Sequence, residues 1–178
     1  MERRSVRITS WIAFAMVVAT DVLYVGLINS QGASSDPMVY VPRFVAGYLA
    51  LMAALIGVAL TPVREIGVIR VPMRAAAAVG LLVLGVAAAF SIGPPLVIAG
   101  ILVGVALSRT DRIPGSVPRW SGFVAALLSV AVLLVGFEIT ERLVMCPEIG
   151  TSEGAGSFLI TGQYHYTCAN GQLHWSSS

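Results

Sequence analysis

The stretch AAAAVGLLVLGVAAAFSIGPPLVIAGILVGVALS, residues 75–108, decides how this chain folds. It carries no charge from end to end. As a single helix its 34 residues would reach about 51 Å at ~1.5 Å per residue, far beyond a bilayer core of about 30 Å. Its one break is Ser91-Ile92-Gly93-Pro94-Pro95. The prolines lack amide donors and push the residues before them out of helical geometry, so one helix stops and another starts. The stretch therefore reads as a tight helical hairpin, with arms at about 74–91 and 94–108. The second arm is short for a full crossing, which calls for local thinning of the bilayer or shielding by protein.

The rest of the chain has the same character. Of 178 residues, 57% are apolar and 11% charged, against about 25% charged in soluble domains. So few charges cannot cover a surface in water, and the solvent that fits is lipid. Three more runs approach the ~20 apolar residues a crossing needs, at about 8–29, 41–61 and 120–143. The predicted fold is an all-α integral membrane bundle of five helices over residues 1–143, followed by a small tail over 144–178.

The first helix is read as a retained anchor. Its apolar run, Ile8 to Ile28, spans 21 residues, longer than the 7–15 or so of a cleaved signal. A turn-rich loop, Ser30 to Pro37, follows it. Every basic residue is an arginine, 11 in all, and with abundant Ala, Gly and Val this composition fits a GC-rich bacterial genome. No lysine run or basic helix with interleaved aromatics suggests nucleic-acid binding.

The arginines set the topology. With five spans, Arg3, Arg4 and Arg7, then Arg64, Arg70 and Arg74, then Arg109, Arg112 and Arg119 fall on one side, nine of 11, leaving Arg43 and Arg142 on the other. The positive-inside rule puts the nine in the cytoplasm. Were residues 75–108 a single crossing, the split would fall to seven against four. Trp11 and Trp120 sit at inner helix ends, where interfacial aromatics belong. The expectation is a multi-pass protein of the cell membrane, N-terminus inside and C-terminus outside. Its connector Val63–Arg74 is read as non-spanning, with Val68-Ile69-Arg70-Val71 along the interface.

The tail holds the chain's two cysteines, Cys146 and Cys168, in the segment predicted to be outside, where disulfides persist. Asn170-Gly171 between two β-prone runs signals a hairpin, with Tyr164, Tyr166 and Cys168 on one face and Leu173 and Trp175 beside them. The Gly/Ser/Glu stretch before it reads as flexible. A Cys146–Cys168 disulfide would staple the hairpin to the end of the last span. The alternative, a metal held by Cys146, His165, Cys168 and His174, suffers because His165 and Cys168 are three apart on a strand and point to opposite faces. No C-x-x-C pair suggests redox catalysis.

Within the spans, Asp21 stands out. A carboxylate at that depth costs about 2.5–3.5 kcal/mol by insertion scales and calls for a partner. Arg43 near the outer end of the second helix is the expected one, with Tyr24 one turn away as a hydrogen-bond donor. Either this pair fixes packing, or Asp21 is a proton or cation site. Glu138 reads as a surface partner of Arg142, four residues on, or as a second acid of an outer pocket facing Asp21. Gly100 and Gly104 form a GxxxG close-packing signal.

No H-E-x-x-H, Walker lysine or G-x-G-x-x-G occurs. No cofactor or metal is expected, and the chain is not read as an enzyme. The leading expectation is an accessory or interaction subunit of a bacterial envelope complex, contacting another envelope protein through the tail and its exposed aromatics. The alternative is a small-solute or proton-coupled transporter using Asp21.

Overall fold

The computed structural model describes residues 4–30, 40–110, 120–146, 150–158 and 162–177. Among them are five helices, α1 (Arg4–Ser30), α2 (Tyr40–Leu60), α3 (Arg64–Ala87), α4 (Gly93–Ser108) and α5 (Trp120–Arg142). Three strands follow, β1 (Thr151–Phe158), β2 (Gly162–Ala169) and β3 (Gln172–Ser177). Four of the helices, α1, α2, α5 and the Ile69–Ala87 part of α3, are long and apolar enough to cross a membrane; α4, with 16 residues, is shorter. Arg3, Arg112, Arg119, the loop 31–37 and tail residues 147–149 and 159–161 lie outside the described residues. The chain divides into two compact units, Met1–Gly26 with Ala46–Leu133, and Leu27–Val45 with Leu134–Ser178.

In the first unit each helix buries the face its spacing dictates. Val6, Ser10, Ala13, Val17 and Thr20 of α1 are buried, in steps of three and four that keep them on one stripe. Leu49, Met52, Ala53, Ile56 and Leu60 do the same on α2. In α3 the run Arg74 to Ala78 is buried at every position, because a sleeve of alanines lets neighbours approach from all sides.

The 88–92 segment joins α3 to α4 as a tight turn. The Ala88 amide donates to the Leu84 carbonyl at 2.8 Å, and the amides of Ser91 and Gly93 both donate to the Ala88 carbonyl at 2.9 Å. Pro94 and Pro95 fall in the first turn of α4, where no intrahelical amide is needed. A Cβ at Gly93 would run into the carbonyl oxygens of Gly85 and Ala88. At Gly100 it would come within 2.8 Å of Leu82 Cγ, whereas at Gly104 it would meet nothing within 4 Å. One glycine of the GxxxG therefore carries the close approach to α3, and the other does not.

The connector expected over residues 63–74 is helix instead: α3 begins at Arg64 and runs through Pro72. Its arginines act as ties between helix ends. Arg70 Nη2 donates to the Thr61 carbonyl, just beyond α2, at 2.9 Å. Arg74 Nη1 donates to Thr110 Oγ1, just beyond α4, and that hydroxyl donates to the Ala106 carbonyl at 2.6 Å. Such bonds satisfy acceptors that a helix end leaves open.

In the second unit the strands form one antiparallel sheet in the order β1-β2-β3. Asn170 and Gly171 have φ of +48° and +79°, the two left-handed residues of a type I′ hairpin turn. Tyr166 lies between Gly154 and Trp175, Tyr164 faces Gly156, and Cys168 lies between Ser152 and Leu173. The expected flexible stretch is strand β1. Glycine has little tendency to form strands, but here the rings of Tyr166 and Tyr164 lie directly over Gly154 and Gly156 and fill the space a side chain would take. A third strand thus forms where only a hairpin was expected.

Candidate functional site

Asp21 sits on α1 at the border of its buried stripe. Thr20 beside it is 8% exposed and Val17 one turn back is fully buried, whereas Val22 and Leu23 are 64% and 68% exposed. The Asp21 Oδ1 atom is enclosed and has no hydrogen-bond partner among the described residues. Tyr24, one turn on, is partly buried. Asp21 and Tyr24 belong to the first unit, Arg43 and Glu138 to the second.

In that second unit Arg43 is exposed in the first turn of α2. Glu138 accepts a hydrogen bond from Arg142 Nη2 at 2.6 Å across one turn of α5. Phe44 meets Phe137 edge-on, ring centroids 5.6 Å apart, and its ring tip occupies the space above Gly136.

The interior of the first unit holds a polar node that the sequence reading passed over. Tyr48 Oη of α2 donates to the Ser129 carbonyl oxygen at 3.0 Å and lies 2.8 Å from Ser129 Oγ of α5. Met52 Sδ approaches the same serine hydroxyl at 3.9 Å. A Cβ on Gly80 of α3 would strike all three groups, so the glycine makes room for the node. One signal was available: a tyrosine in mid-span is out of place, because that residue favours the membrane interface.

In the tail, a disulfide joins Cys146 to Cys168 with Cα atoms 5.3 Å apart. It draws Val144, Cys146 and Leu173 against the buried trio Tyr164, Tyr166 and Cys168. The Trp175 ring packs 5.2 Å from Tyr164 and 6.0 Å from Tyr166. Burial, then the Glu141 charge, then Tyr166 push the Tyr164 phenol above its ordinary pKa. Both tyrosines are at most 5% exposed and form the core of the tail, whereas Trp175 is 41% exposed at its surface. The opposite face is polar: Glu153, Thr167 and His174 lie side by side across the three strands, with His165 adjacent, all exposed. Among the described residues, no three His, Cys, Asp or Glu side chains are grouped to hold a metal ion.

Comparison with protein-family models, curated proteins and solved structures gives no match.

Proposed function

We propose that this chain is a non-enzymatic accessory or interaction subunit of a bacterial envelope complex. It crosses the plasma membrane five times, with its N-terminus in the cytoplasm and its tail outside. The exposed surfaces of α1 and α5 support the membrane setting: Ile12, Leu23, Phe123, Leu128, Val135 and Ile139 are each about half exposed or more, and lipid is the solvent that tolerates them. The arginine asymmetry of the sequence supports the orientation.

The observation that carries the interaction reading is the tail. A chain that needed only to end outside the membrane would not require a three-stranded sheet closed by a disulfide. Its aromatic side is its own core, which leaves the face of Glu153, His165, Thr167 and His174 to meet a partner. Deleting residues 146–178 should abolish co-purification of the partner after crosslinking in cells. A milder variant, Glu153→Ala with His165→Ala and His174→Ala, should do the same while keeping the disulfide. Partners that co-purify unchanged with both variants would refute the reading.

The enclosed Oδ1 of Asp21, without a hydrogen-bond partner among the described residues, favours a second reading, a small-solute or proton-coupled transporter using Asp21. Asp21→Asn should then abolish uptake at normal expression; undiminished uptake removes this reading.

A further inference from the structure

We infer that α1 docks a transmembrane helix of another protein, one that carries an arginine or lysine side chain at the depth of Asp21. The inference rests on the accessory-subunit reading and names the chemistry of the partner. Three observations converge on it. Asp21 lies nine residues before Ser30, the last of α1, or about 14 Å along the helix, where an uncompensated carboxylate is costly. Its Oδ1 finds no hydrogen-bond donor among the described residues, and residues 31–39, the segment that follows α1, contain no basic side chain. A cation on the partner helix would supply the missing charge.

The surface around the carboxylate is built for a helix. Only 17% of the α1 span is buried, as in α5, against 44% for α2 and 50% for the Ile69–Ala87 part of α3. Val22, Leu23 and Val25 beside Asp21 are exposed, and Gly26 one turn on leaves open space above its backbone. A neighbouring apolar helix would lie along these residues, and its one basic side chain would reach the carboxylate at the edge of the buried stripe. Asp21 is thus the polar centre of an otherwise apolar contact, which sets both the depth and the choice of partner.

The test uses the full-length chain in phosphatidylcholine vesicles and a synthetic leucine-alanine transmembrane peptide with one central arginine. Association is read by energy transfer between labels on the two. The arginine peptide should associate at least about tenfold more strongly than the same peptide with leucine at that position, a difference within reach of one interhelical polar contact. Asp21→Asn should erase the preference and Asp21→Glu should retain it, with helix content and disulfide unchanged in both. Equal association of the arginine and leucine peptides would overturn the inference, as would a preference that survives in Asp21→Asn. It would also be overturned if Asp21 instead drove pairing of two copies of this chain, or proton uptake by vesicles holding the chain alone. Because no native partner is needed, a failure here leaves the tail experiment above standing, and the reverse also holds.

Discussion

The Tyr48 hydroxyl reaches both polar groups of Ser129, its carbonyl oxygen at 3.0 Å and its Oγ at 2.8 Å, and so ties α2 to α5 across 81 residues of sequence. In a bilayer no water replaces a lost interhelical bond, although measured values for such bonds are modest. Tyr48→Phe should therefore destabilise the helical unit by about 1–2 kcal/mol, read as unfolding in mixed micelles by a graded increase of sodium dodecyl sulfate. Ser129→Ala in the Tyr48→Phe background should add little further, because the partner is already gone.

Gly80 and Gly104 make a matched pair for testing the packing. A methyl group at Gly80 would strike Tyr48, Ser129 and Met52, whereas one at Gly104 meets open space. Gly80→Ala should cost about 1–3 kcal/mol by overpacking. Gly104→Ala should be neutral or slightly stabilising in the same unfolding assay.

The turn between α3 and α4 gives a direct test of the crossing number. Phe90 at that turn is fully exposed, and Arg109 follows the end of α4. Phe90→Cys should react with a membrane-impermeant maleimide added to intact cells. Arg109→Cys should react only after the membrane is opened. Labelling of both from the same side would reduce the five crossings proposed above to four.

These elements were not equally legible. The hairpin of α3 and α4 and the Asn170-Gly171 turn are written in local chemistry, because proline and glycine set backbone geometry wherever they stand. Strand β1 is not, since its glycines disfavour a strand and the tyrosines that offset this come from β2. Arg74 reads from sequence as a cytoplasmic-side arginine where a span begins, yet it is 1% exposed; only the return of Thr110 at the end of α4 gives it a place. The Tyr48–Ser129 contact depends likewise on which helices lie together, and no local pattern carries that. Among the candidate residues, Glu138 with Arg142 is the pair that spacing alone identified, since four residues along a helix fix neighbours.

The tail should respond to alkali through Tyr164. Its phenol is held above the roughly 10 of an unperturbed tyrosine, first by burial, then by Glu141 and Tyr166. A raised folded-state pKa makes the stabilisation complete below about pH 10 and removes it as pH climbs past that value, because the unfolded tail then sheds its proton first. Near-ultraviolet circular dichroism of the tail should hold steady up to about pH 10 and fall above it. Tyr164→Phe should lessen the pH dependence of that loss.

Removing the disulfide tests how the tail is held. Cys146→Ser, Cys168→Ser and the double variant should each lower the stability of the sheet by about 3 kcal/mol, with the double variant no worse than either single one. The measure is the rate of tail proteolysis at rising temperature, with the helical unit as internal standard.

The bond between Cys146 and Cys168 also divides the tail by its covalent topology. Strand β1 and most of β2 lie inside the ring it closes, whereas β3 lies beyond it. A protease cut anywhere from 147 to 167 leaves the severed ends tethered, and the sheet can still close. A cut after Cys168, in the Asn170-Gly171 turn, sheds β3 and with it Trp175, which packs on Tyr164 and Tyr166 and which no covalent ring retains. In the proposed extracytoplasmic setting, that two-residue turn is therefore the place within the sheet where one cut removes a strand.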